Sequence, residues 1–177
     1  MIITNNICLR LLEREDLPLR VKWLNDPQIY NTLVSDYPVS LAKTEAWFNK
    51  VLFDDTKVNF SIVHAATGKV IGMAGLLQID VRHSKAQMYI TIGEADFHGK
   101  RYPDEIIPAI LQFGFFELNL NKVYLWTIPN NARGRAVYER NGFIKEAEMH
   151  QHMYCRGKYQ TVIQHRVLRN EFAERVG

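Results

Sequence analysis

A chain of 177 residues with 47% hydrophobic and 23% charged side chains has the composition of one globular domain with a sizeable core. No apolar run approaches the roughly 20 residues of a membrane span, and the opening MIITNNICLRLLERED has no basic region leading to a small-residue cleavage site, so a cytoplasmic protein with no membrane partner is expected. The net charge of +3, with basic residues gathered in the last third, suits an anionic ligand and is slender ground for nucleic acid.

In chain order, ICLRLLE reads as a first strand and LPLRVKWLND as a helical stretch, and Ser40 stands as the N-cap of a second helix, SLAKTEAWFNKVL. NFSIVHA and KVIGMAGLLQIDV are strand runs either side of ATGK, where Gly68 supplies the turn of a hairpin. AQMYITI alternates: Ala86, Met88, Ile90 and Ile92 fall on one face, Gln87, Tyr89 and Thr91 on the other, and both faces are occupied. A helix is expected from about Pro103 to Leu118, with Pro103 in its first turn and Asp104 and Glu105 near the positive end of its dipole. Pro108 costs that helix about 3 kcal/mol unless it starts late or bends. KVYLWTI is the next strand, a short helix carries Tyr138, and FIKEAEMHQHMY and KYQTVIQHRVL form a final strand pair joined at Arg156-Gly157. This order predicts an α/β or α+β domain spanning residues 1–177, with a mixed sheet flanked by helices. Cys8 and Cys155 lie far apart in expected strands and read as buried free thiols, not as a disulfide or part of a metal set.

Two segments carry chemistry. The loop GEADFHGKRYPDE brings Gly93, Gly99, Lys100 and Arg101 to a helix N-terminus, where unpaired backbone N–H groups and the dipole favour an anion. Some thirty residues on, PNNARGRAVYERNGF places Tyr138 on an otherwise basic helix. Helical side chains lean toward the N-terminus, so the Tyr138 hydroxyl is expected to point over the turn holding Gly134, which leaves the route open, toward Asn131.

Together with FGFFELNLNKVYL between them, these segments resemble the GCN5-related N-acetyltransferase (GNAT) family. WLNDPQI, PVS and GKYQTVIQHRVLRNEF resemble its branch of ribosomal-protein N-terminal and spermidine acetyltransferases. The resemblance covers nearly the whole chain. It implies a mostly antiparallel central sheet and acetyl-CoA as co-substrate. Backbone groups of Ile90, Thr91 and Ile92 would pair with the pantetheine arm, and the loop from His98 through Gly99, Lys100, Arg101 and Tyr102 would hold the pyrophosphate. Asn130 or Asn131 would contact the coenzyme or orient the helix, and Tyr138 would protonate the departing thiolate; either asparagine alone would also serve as a plain helix cap. In this chain Arg101 and Pro103 stand where the family often has glycine, and a guanidinium contact would have to replace a backbone approach. Gln87 stands where relatives often carry a glutamate base, which leaves Glu94, His83, His98 or a water relay for that role.

The acceptor amine, on a small molecule, an amino sugar or a peptide terminus, would meet Trp23, Asp26, Tyr30, Asp36 and Tyr37 on one side, together with Gln87 and Tyr89. On the other side it would meet the hairpin with His150, His152, Tyr154, Arg156 and Lys158, whose basic character favours an acceptor bearing negative charge unless it is only a solvated surface. A homodimer is compatible with the resemblance. The rival reading is a non-catalytic acyl-CoA-binding sensor or interaction module, which the altered loop motivates and Tyr138 opposes.

Overall fold

Alternating strand runs need edge-to-edge pairing, because burial leaves no water for their backbone groups. The computed structural model describes residues 1–33 and 38–176. The strands are β1 (Ile2–Ile3), β2 (Ile7–Leu11), β3 (Val58–His64), β4 (Val70–Asp80), β5 (Lys85–Ile92), β6 (Lys122–Thr127), β7 (Ile144–Cys155) and β8 (Lys158–Leu168). They form one sheet in the order β1-β2-β3-β4-β5-β6-β8-β7. The helices are α1 (Leu17–Leu24), α2 (Pro27–Tyr30), α3 (Leu41–Val51), α4 (Pro103–Gln112), α5 (Ala132–Arg140) and α6 (Arg169–Val176).

Every neighbouring pair is antiparallel except β5 and β6, whose parallel pairing needs a crossover. That crossover is α4 and the π-type turn Phe113–Glu117. β5 and β6 pair only from Lys85↔Lys122 to Gln87↔Tyr124, although β5 runs on to Ile92 and β6 to Thr127. On its other edge β5 remains paired with β4 as far as Gly72↔Ile92. The sheet therefore splays at its centre, and the backbone of Met88 to Ile92 borders a cleft.

Each sheet face has its own cover. Ile106, Ile107, Ile110 and Leu111 of α4 pack with Ala86, Met88, Val123 and Leu125 in the larger core, while Leu17 and Trp23 of α1, Phe48 of α3 and Met73 make a smaller one. The two-faced reading of AQMYITI fits this division, with Met88 in the first cluster and Tyr89 packed against the second.

The Ser40 hydroxyl caps α3 as expected, accepting the Lys43 N–H at 3.2 Å. α4 begins at Pro103 and runs through Pro108, so the helix neither starts late nor stops there; its last stretch widens into the π-type turn. α6 was not expected from the sequence because RNEFAERV is mostly polar, yet Phe172 is buried and its ring lies 5.5 Å from that of Phe115. Both cysteines are free, but only Cys155 is buried; Cys8 is half-exposed, a correction to the expectation of two buried thiols. Among the described residues no helix is long and apolar enough to cross a membrane.

Candidate active site

Where β5 and β6 part, two adjoining cavities open, of about 370 Å³ and about 280 Å³. Ile90, Thr91, Trp126 and Tyr138 line both. Tyr138 thus stands on the boundary between them.

Its position follows from the start of α5. Asn131 is the N-cap, and its Oδ1 accepts the Gly134 N–H at 2.9 Å. A Cβ at Gly134 would fall 2.6 Å from Asn131 Nδ2, so a glycine here makes room for the cap itself. Further along, the Tyr138 ring meets Phe143 edge-on at 5.8 Å. Burial pushes the phenol's pKa up to about 12, and it stays protonated at any physiological pH.

The second cavity is lined by Ile92, His98, Gly99, Lys100, Asn131 and Arg133. His98 Nε2 lies 2.9 Å from the Ile92 carbonyl, which can only accept; Nε2 carries the hydrogen and ties the loop to the end of β5. Lys100 Nζ sits 4.9 Å from the Phe97 ring centroid, and Arg133 Nη2 lies 3.5 Å from where a Cβ on Gly99 would be. Among the described residues neither cation has a carboxylate partner. Two loop residues turn away. Arg101 binds Asp104 with Nε 2.6 Å from Oδ2, and the Tyr102 hydroxyl lies 3.2 Å from His64 Nε2. Asn130 is exposed and lines neither cavity. Asp104 also receives Arg140 and Asn141; burial alone would raise its pKa, but these donors and Arg101 hold it at about 2 and fasten α4 to α5.

Trp23, Gln87 and Tyr89 line the first cavity. Tyr30 and His152 do not, although the His152 ring stands edge-on to Trp126 at 5.6 Å. Tyr37 and Asp36 lie outside the described residues. Arg156, expected to face the acceptor, instead donates to the Tyr30 and Leu33 carbonyls at 2.9 and 3.2 Å, clamping the turn after α2. Arg20, Trp47, Asn59 and Trp126 also line this cavity, and no motif announced them.

Glu94 lines neither cavity and is held as a carboxylate. Lys22 and Lys69 reach it at 2.8 and 2.7 Å and Trp23 Nε1 at 2.9 Å, and these donors hold its pKa at about 2. His83 is exposed in the turn between β4 and β5 and lines neither cavity. The depressed Glu94 pKa has a stability consequence with a definite sign. A carboxyl lowered from 4.5 to about 2 stabilises the fold above the higher value, and that contribution is lost as pH falls through the lower. Glu94→Gln is expected to cost on the order of 2 kcal/mol at neutral pH, discounted for the exposed lysines, with the gap to the parent closing toward about pH 2. Urea melts across that range would show a constant gap if the ion pairs contributed nothing.

An acetyltransferase (GNAT) domain model matches residues 6–144. Spermidine N(1)-acetyltransferase of Vibrio cholerae is 28% identical over 173 residues, covering 98% of this chain and 99% of the relative. The crystal structure of spermidine N-acetyltransferase from Vibrio cholerae in complex with CoA and spermine superposes with a TM-score of 0.89 at 27% identity, covering 96% of this chain and 99% of that one. A dodecameric structure of the same enzyme in an intermediate state gives a TM-score of 0.83 at 27% identity, over 98% of this chain and all of that one.

Proposed function

The chain belongs to the GNAT acetyltransferase family and is an acetyl-CoA-dependent N-acetyltransferase, and we propose that its two cavities divide the work, the second taking the coenzyme and the first the acceptor amine. The observation that carries this division is the splay of β5 from β6, with Tyr138 on the boundary of both spaces.

Acetyl-CoA brings an activated acetyl group; the amine nitrogen bonds to its carbonyl carbon, the C–S bond breaks, and the thiolate leaves. Neither Cys8 nor Cys155 lines either of these two cavities, which favours direct attack over an acyl-cysteine. Backbone groups of Met88 to Ile92 without partners on β6 offer the pantetheine arm a strand to pair with. Gly99, Lys100 and Arg133 offer N–H groups and positive charge to phosphates. A phenol near 12 is a weaker acid than a thiol, whose ordinary pKa is about 8.5. Full transfer from Tyr138 is therefore uphill, and its O–H stabilises the forming thiolate chiefly by hydrogen bonding. With Glu94 held by lysines and no carboxylate on the walls of the first cavity among the described residues, the acceptor enters as the neutral amine or passes its proton to water.

Thiol release from acetyl-CoA with a panel of amines tests the chemistry, and calorimetry with CoA tests the division of cavities. Arg133→Ala is expected to weaken CoA binding up to about fivefold at low salt and less at high salt, while Arg101→Ala changes it little. The reverse ranking would place the phosphates against Arg101 and overturn the assignment of the second cavity.

A further inference from the structure

The walls of the first cavity carry two cations, Arg20 and Lys57, and among the described residues no carboxylate. Lys57 has its own partner, with Nζ 2.7 Å from Asp54 Oδ2. Arg20 does not. Half-buried on α1, its guanidinium lies 4.3 Å from the Trp47 ring centroid and its Nη1 3.6 Å from Met73 Sδ, and no acid among the described residues pairs with it. Burial pulls its pKa below the ordinary arginine value, with Tyr89 pulling weakly the other way. An arginine nevertheless keeps its proton in a protein, so the charge remains in a largely apolar enclosure. A charge removed from water without a partner is costly, and a ligand of opposite sign would relieve that cost.

Asn59, on the same cavity wall, points the same way. It is 7% exposed; its Oδ1 accepts the Tyr89 hydroxyl at 2.7 Å, and its Nδ2 is buried with no hydrogen-bond partner. Buried amide donors are rarely left unmet, and Asn59 is a residue of the cavity wall that Arg20 also lines. A guanidinium fork and an amide N–H suit one planar anion, a carboxylate. The neighbouring Trp23, Trp47, Leu125 and Met153 suit an apolar frame, and the volume suits a small molecule.

Resting on the assignment of this cavity to the acceptor, we propose that the acceptor is a small amine bearing a single carboxylate on an apolar frame, with the carboxylate held by Arg20 and Asn59 and the amine directed toward Tyr138. A polyamine such as the spermidine of the Vibrio cholerae relative brings the wrong charge to this wall. The negative charge expected of the acceptor from the basic hairpin is here read by a different residue, since Arg156 is engaged with backbone carbonyls.

The test uses L-phenylalanine and ω-aminohexanoate, each against its carboxamide, with spermidine as the polycation. Thiol release gives kcat/KM, and calorimetry on the CoA-loaded protein gives affinity whether or not a compound turns over. At least one acid is expected to exceed its amide by roughly ten- to a hundredfold. Arg20→Met should bring that ratio to within about twofold of unity with CoA affinity retained, and Arg20→Lys, which keeps the charge without the fork, should retain part of it. Equal use or binding of acid and amide, a preference for spermidine, or selectivity that survives Arg20→Met would overturn the proposal. Failure to bind CoA is a separate result that strikes the coenzyme assignment, and carboxylate selectivity remains measurable by calorimetry on the protein alone.

Discussion

Tyr138→Phe is expected to lower turnover by roughly a hundredfold while leaving CoA affinity within about twofold of the parent. The substitution removes one oxygen and keeps the ring, whose edge-on contact with Phe143 at 5.8 Å is made by carbon atoms, so the fold should survive. Coenzyme affinity should hold because the cations proposed for the phosphates, Lys100 and Arg133, and the open edge of β5 are untouched. The loss falls on the step in which sulfur acquires charge. Positioned proton donors contribute roughly 10²- to 10⁴-fold, and the lower end applies because a thiolate leaves tolerably unaided and a phenol near 12 contributes mainly a hydrogen bond. The pH dependence has a definite sign: the hydroxyl acts only while protonated, so its contribution persists below its raised pKa of about 12 and is lost above it. The parent profile should therefore show no alkaline limb from this group below about pH 11. Parent-like turnover by the folded variant would make Tyr138 a packing residue.

Gly93→Ala is expected to destabilise the fold by about 3 kcal/mol or more, lowering the melting temperature by roughly 6–12 °C. A Cβ at this position would lie 2.0 Å from Trp23 Cδ2 and 2.3 Å from two further indole carbons, far inside contact distance. Trp23 has nowhere cheap to go. It is 2% exposed, and its Nε1 is committed to Glu94 at 2.9 Å. Relieving the clash means moving the indole off a carboxylate that Lys22 and Lys69 also hold, or moving the end of β5 that His98 grips through the Ile92 carbonyl. The second route reaches the coenzyme cavity, so CoA affinity should fall along with stability. A melting temperature within about 2 °C of the parent would show that the indole yields freely.

Local devices were legible. Ser40 and Asn131 cap the helices they precede, because a short polar side chain before an apolar-periodic run meets N–H groups two or three residues on wherever that run folds. The alternation of β5 announced its two buried faces for the same short-range reason. Gly134 shows the limit of such reasoning: its smallness was visible, but that the Asn131 side chain lies against it was settled only by the folded turn. Arg101 and Arg133 were equally basic on paper, and the choice between them was made by Asp104, which draws Arg101 away from the cavity while Arg133 comes beside Gly99.

The sequence by itself determined the class of element at most positions, the two glycine-bearing segments beside the cleft, and the tyrosine on the helix before the final strands. These follow from sterics and hydrogen bonds spanning a few residues, which any short window contains. Only the tertiary structure decided that β5 and β6 part after Gln87, that Tyr138 stands between two cavities, and that Arg20, Asn59 and Trp126 share a wall without an acid among the described residues. Those residues come from α1, β3 and β6, separated by dozens of positions, and what brings them together is the strand order of the sheet. Strand order is set by the pairing and packing of the whole chain, so no local pattern around Arg20 records that its charge will lie half-buried and unpaired.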